Sequence, residues 1–365
     1  MSGRAGMATV SFGAGPTMLP RIVLDQVRAD LLDFAGTGLS VLEIPQSHPA
    51  VVAVYEQVES DVREMLGVTD EYHVLFLHAG ASTHFAMVPL NLLRGRSVSD
   101  YVHTGLWSRK AIEQARAYTK VRIVGDAATT GFARVPHLGG LAPGTDSAYL
   151  HYTYCDSVRG LEFPAEPCAG ETPLVCDATA SLFARPVAIE RHALVYASAQ
   201  KNLGATGMTL VIVHRSVLGS PSASVPLALD YTRQAECRSR FTTPPIFAWY
   251  LAGRVLAWMR SLGGLGVLAD QVLERSKHLY AVLDRSDFYP SPVEDGSRSR
   301  TSIPFTTSDP ALTGTFIDES EAAGMVGLTG HSSVGGLRAG LFTATPDSAV
   351  LGLVAFMTDF ERRYG

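Results

Sequence analysis

From residue 73 to residue 214, short apolar runs rich in β-branched and aromatic residues alternate with segments of helical period. That alternation constrains the fold more tightly than any other feature. Strands separated by helices close into a mostly parallel sheet with both faces covered. Segments 73–78 (HVLFLH), 121–124, 148–152, 174–177, 193–197 and 209–214 read as strands, and 84–93 and 107–118 as helices. After Pro244-Pro245 the character changes. A long helical run at 247–262 is broken by Gly263-Gly264 and resumes at 267–283. A strand-and-helix unit from about residue 300 ends in a helix at 350–362. The expected fold class is α/β, with a large domain over 21–265 and a smaller α+β domain formed by 1–20 and 266–365.

Hydrophobic residues make up 46% of the 365, enough for a sizeable core. The net charge of −5, with no basic block, argues against nucleic acid as a partner. No apolar run is long enough to span a bilayer, so no membrane association is expected. Residues 1–9 lack the apolar core of an export signal, which makes a cytoplasmic location the expectation. Cys155, Cys168, Cys176 and Cys237 show no paired ligand spacing, so neither a metal nor a disulfide framework is expected.

Lysine is scarce, occurring only at 110, 120, 201 and 277. Lys201 alone follows an apolar strand directly and precedes a glycine-bearing loop (ALVYASAQKNLGATG, 193–207). Strand ends are where α/β sheets bind ligands, and partial burial there would favour condensation of the amine with an aldehyde. A lysine in a surface turn would look the same in isolation. A second apolar strand ends on Asp177 (LVCDATASLFARP), as a strand cap would, or as a carboxylate that keeps a pyridine nitrogen protonated. The segment HAGASTHF (78–85) leaves a strand and opens a helix. Its small residues let the N–H groups of Ala81, Ser82 and Thr83 approach a phosphate at the helix N-terminus. Trp107 is either a core residue of its helix or a stacking ring. A phosphate cup, a stacking ring, a carboxylate and a lysine, in that order, are the parts a fold-type-I pyridoxal-phosphate enzyme needs.

Over almost its whole length the sequence resembles the phosphoserine aminotransferase family. The resemblance lies in FGAGPTMLP (12–20), HAGASTHFAMVPLNLL, DYVHTGLWS, YASAQKNLGATGMT, LDY (229–231), FTTPPIFAWYL, GHSSVGGLRAGLF and the terminal FMTDFERRYG. It implies a fold-type-I enzyme with a mostly parallel, seven-stranded-type sheet, carrying pyridoxal 5'-phosphate. Its partners would be an amino acid, a 2-oxo acid and a second copy of the chain that shares the active sites. It implies that Lys201 carries the cofactor, with Gln200 near the ring oxygen. Asp177 pairs with the pyridine nitrogen, Trp107 stacks on the ring, and Ser157 stands where the family has a ring-contacting threonine. Ala81 and Ser82 bind the phosphate through the backbone, Thr242 and Thr243 reach it from the partner subunit, and Arg338 holds the substrate α-carboxylate.

The chain also departs from the family. Gln46-Ser47 and His331-Ser332 stand where the family carries His-Arg pairs that hold the substrate's phosphate or distal carboxylate. Ala14 replaces a serine, Thr242 an asparagine, Ser82 a common arginine and His84 a common glutamine. Compensating cations would have to come from among His48, His84, Arg159, Arg238, Arg240 and His331. The expectation is therefore a pyridoxal-phosphate aminotransferase acting on a substrate other than 3-phosphoserine. The alternatives are authentic phosphoserine:2-oxoglutarate transamination, or decarboxylation, elimination or racemisation on the same scaffold. A noncatalytic binding protein is a further alternative, disfavoured by the retained Lys201, Asp177 and Arg338.

Overall fold

The computed structural model describes residues 9–365, so most of the N-terminal stretch read above for an export signal lies outside the described residues. Seven strands form the main sheet: β1 (Tyr72–His78), β2 (Val98–His103), β3 (Lys120–Asp126), β4 (Ser147–Thr153), β5 (Leu174–Asp177), β6 (Leu194–Ser198) and β7 (Met208–His214). Their spatial order is β1-β7-β6-β5-β4-β2-β3. Strand β7 is antiparallel to both its neighbours, and every other pair is parallel. Six strands therefore point the same way, and their C-terminal ends share one edge of the sheet.

Strand β2 is absent from the sequence reading, and its composition explains why. The segment VSDYVH carries Ser99 and Asp100 where a central strand would be apolar, yet both are fully buried. Asp100 is tolerated because Arg122 on β3 donates to it through two nitrogens, at 2.6 and 2.9 Å. Helices α1 (Arg21–Asp30) and α2 (Pro49–Leu66) also go beyond that reading. In α2, Pro49 follows a His48 cap whose imidazole accepts the Ala50 N–H, and the helix stops at Gly67, which has a positive φ of 64°. Its buried Val51, Tyr55, Val58, Val62 and Leu66 lie on one stripe.

The remaining helices cover the sheet and build the C-terminal unit: α3 (Ala81–Leu92), α4 (Leu106–Ala115), α5 (Tyr231–Glu236), α6 (Ile246–Ser261), α7 (Leu265–Leu283), α8 (Leu312–Ala322) and α9 (Asp347–Tyr364). Strands β8 (Ser302–Phe305) and β9 (Leu337–Gly340) pair antiparallel. One hydrophobic core includes α2, α6 and Leu268 of α7, whereas another gathers Phe12, Leu279 and Tyr280 of α7, and residues from Phe288 to Phe360. We propose on this basis that the domains divide within α7, close to the division expected at residue 265. Among the described residues no helix is long and apolar enough to cross a membrane.

A buried ion cluster ties the two units together. Glu162 accepts Arg185 Nη1 at 2.7 Å and Arg300 Nε at 2.8 Å, and it also accepts the Arg300 backbone N–H. Replacing Glu162 by Ala leaves the Arg185 charge buried without its partner. That should destabilise the fold by about 3 kcal/mol, read as a lower urea midpoint at unchanged slope.

Candidate active site

The strand ends converge on one cavity of about 100 Å³, lined by Gly80, Ala81, Ser82, Trp107, Thr153, Cys155, Ser157, Asp177, Thr179, Ala180, Gln200 and Lys201. Seven residues expected from the sequence meet there: Ala81, Ser82, Trp107, Ser157, Asp177, Gln200 and Lys201. Lys201 follows β6, is 6% exposed, and holds its amine 5.2 Å from the Phe342 ring centre. Burial pushes the ammonium down to about 8, with Arg338 adding to the shift and Cys155, Asp177 and Asp156 opposing it. Asp177 ends β5 and accepts the Thr179 N–H at 3.0 Å. Burial lifts its carboxyl to about 6, against the Thr179 hydrogen bonds and the charge of Lys201.

At the mouth of β1 the chain turns through Ala79, at a φ of 78°, into α3. The α3 N-terminus has no side-chain cap for its first N–H groups, and its residues Gly80, Ala81 and Ser82 line the cavity. Trp107 opens α4. Its indole N–H donates to Ser157 Oγ at 3.2 Å, and its backbone N–H donates to Asp156 Oδ2 at 3.0 Å. Arg338, on β9, donates from Nη1 to the Ser157 carbonyl at 3.0 Å, while its buried Nε has no partner. Burial pushes the Arg338 guanidinium down, and Asp156 opposes that shift.

Among the described residues, two polar atoms at the site lack partners: Thr153 Oγ1 and Arg338 Nε. Together with the free N–H groups of α3, the buried Asp177 and the amine of Lys201, they form a donor and acceptor set suited to a phosphorylated pyridine aldehyde and a carboxylate.

The other expected residues lie elsewhere. Thr242 and Thr243 are exposed and line a separate cavity with His78, Ala79 and Thr83, where His78 Nε2 contacts the Thr243 carbonyl at 2.6 Å. Gln46 and Ser47 are exposed ahead of α2, and Ser332 is exposed in the turn before β9. His331 Nδ1 contacts Ser333 Oγ at 2.8 Å, and burial, Arg338 and Lys110 lower its proton affinity. Ala14 packs on the small apolar cluster of Cys155, Ala180 and Phe342. Of the proposed compensating cations, His84 is sealed in the core against the Tyr231 hydroxyl, and burial pushes it down to about 3, so it is neutral. His48 caps α2, Arg159 stacks over Phe132, and Arg240 lies over Tyr55. Arg238 borders a different groove with Arg63 and His73.

Sequence reasoning missed Thr153, Asp156, Thr179 and Phe342. Register could have found Thr153, which pairs with Asp177 across the sheet. Cys155 lines the cavity, but burial pushes its thiol up to about 12, which keeps it protonated.

The aminotransferase class-V family matches residues 9–351. The phosphoserine aminotransferase of Hahella chejuensis is 43% identical over 97% of this chain and 98% of its own. That of Laribacter hongkongensis is 41% identical over 98% and 100%. Among solved structures, the phosphoserine aminotransferase of Bacillus circulans subsp. alkalophilus superposes with a TM-score of 0.95 at 35% identity, covering 97% and 98%. The pyridoxal-phosphate-bound phosphoserine aminotransferase of Trichomonas vaginalis gives 0.91 at 28% identity, covering 96% and 99%.

Without cofactor, the depressed Lys201 amine weakens the fold. The penalty is full below about 8 and fades as pH rises toward the ordinary 10.5. Lys201→Met should therefore stabilise the cofactor-free protein at pH 7 by about 3 kcal/mol, with the gain shrinking through that window. Denaturant melts of the apoprotein across pH check this, and a gain independent of pH contradicts it.

Proposed function

The chain belongs to the class-V aminotransferases, and within them to the phosphoserine aminotransferase family, and from that premise we propose that it exchanges an amino group between 3-phosphoserine and 2-oxoglutarate. It is a pyridoxal-phosphate-dependent transaminase of fold type I. The observation that carries the reading is one cavity that joins a buried amine to a buried carboxylate, with a partnerless guanidinium nitrogen nearby. Whole-length similarity to proteins named for phosphoserine puts that substrate first, ahead of the different substrate expected from the altered pocket residues.

Pyridoxal phosphate, when bound, supplies an electron-withdrawing ring that stabilises negative charge at the substrate Cα. In our reading Asp177 holds a proton at the ring nitrogen, and pairing with that cation would keep its carboxylate ionised. Lys201 would carry the cofactor, and its lowered proton affinity would favour the neutral amine that takes the proton from Cα and delivers it to the cofactor's C4′, two bonds along. Arg338 orients the α-carboxylate with its planar fork. Trp107 covers one ring face, with Ser157 and Gln200 at the ring edge, and the Ala81 and Ser82 N–H groups receive the phosphate. Retention of Arg338 beside Lys201 makes decarboxylation, elimination or racemisation the weaker proposals.

A second reading, a less anionic side chain, is favoured by one observation. Ser47 and Ser332 offer no charge where the resemblance leads one to expect arginine, and the nearby arginines are engaged elsewhere. Phosphoserine, glutamate, alanine, serine and glutamine compared by kcat/KM decide between the two. Phosphoserine foremost supports the first reading, and a neutral amino acid foremost supports the second. If a missing charge limits the enzyme, Ser47→Arg combined with Ser332→Arg should raise phosphoserine kcat/KM by about tenfold to a hundredfold.

We further propose a homodimer in which Thr242 and Thr243, exposed and apart from their own chain's cavity, reach the partner's cofactor phosphate. Sedimentation of the active enzyme should then show a dimer, and a fully active monomer would rule it out.

A further inference from the structure

Asp156 is fully buried, yet among the described residues it forms no salt bridge. Its carboxylate is satisfied by backbone. Oδ1 accepts the N–H groups of Val158 at 3.0 Å and Arg159 at 2.9 Å, closing a turn, and Oδ2 accepts the Trp107 N–H at 3.0 Å. The turn is completed by the Gly160 N–H, which donates to the Asp156 carbonyl at 2.8 Å. The Trp107 amide is the second of α4, so no intrahelical acceptor exists for it. Gly105, one residue before the helix, has a φ of 153°, and a Cβ there would lie 2.5 Å from the Asp156 carboxylate carbon. The sequence thus leaves a side chain out so that the helix start can close on this carboxylate.

Ser157, the next residue, lines the cavity and grips two side chains, one of which, Trp107, lines it too. Its hydroxyl accepts from the Trp107 indole, and its carbonyl accepts from Arg338 Nη1. Trp107 belongs to α4 and Arg338 to β9, elements far apart in the chain that Ser157 joins through these two bonds. We propose that Asp156 is a positioning residue: by anchoring α4 to the 156–159 turn, it fixes the spacing between the Trp107 ring and the Arg338 fork, and hence between cofactor and α-carboxylate.

This rests on the reading that Trp107 covers the cofactor ring, and the experiment separates the two. The visible circular dichroism band and the cofactor dissociation constant of the holoenzyme are measured for wild type, Asp156→Asn, Trp107→Phe and the double variant. Asp156→Asn should weaken cofactor binding tenfold or more and change the band. In the Trp107→Phe background the same substitution should add less than threefold, because its effect passes through the indole. If Trp107→Phe alters neither quantity, the stacking reading fails. If Trp107→Phe alters both and Asp156→Asn alters neither, or the two effects multiply, the positioning role is overturned. Should Asp156→Asn not fold, hydrogen exchange on the wild-type holoenzyme serves instead. A Trp107 amide as protected as those in the middle of α4 supports the anchor, and one that exchanges as fast as a free helix start overturns it.

Discussion

The site depends on an amine and a carboxylate buried in the same cavity. Removing an ammonium or a carboxylate from water is costly, and a fold that leaves either group without full compensation spends stability to do so. Here burial pushes Lys201 down and Asp177 up, so each is displaced toward its neutral form. That tension is useful chemically. The lysine is primed to condense with a carbonyl, and the carboxyl is matched to a group that arrives with a positive nitrogen. A cofactor with both features relieves both costs at once, so its binding and the stability of the fold are linked.

The sheet makes this arrangement possible by collecting strand ends. Six strands point one way, so β1, β4, β5 and β6 deliver the 80–82 turn, Thr153, Asp177 and Lys201 to a single edge. The helices then bring the covering groups. The α3 N-terminus supplies N–H donors, and α4 supplies the indole. Arg338 comes from β9, where Gly340 donates to the Phe12 carbonyl and joins the strand to the N-terminal segment.

Much of this was legible in the sequence because it depends on local patterns. Apolar runs ending in Asp177 and just before Lys201 mark strands and their chemistry together, and the segment at 174–177 matches its strand residue for residue. Strand β2 was not legible, because its buried Asp100 is compensated by Arg122, 22 residues away. Asp156 escaped for a similar reason. Its partners are backbone amides, and only the three-dimensional closure of α4 shows that its charge is used internally. His84 misled in the opposite direction. A histidine near a phosphate cup suggests a cation, yet the core around Tyr196 and Tyr231 keeps it neutral.

The helix α7 places Leu268 in one core and Leu279 in the other. An α-helix does not flex at its middle without breaking its own hydrogen bonds. The C-terminal unit is thus joined at this point by a continuous helix rather than by a loop. Leu337 and Ala339, on either side of Arg338, pack in the core that holds Leu279, so the place of the guanidinium is set by the far end of the helix whose near end packs beneath the sheet.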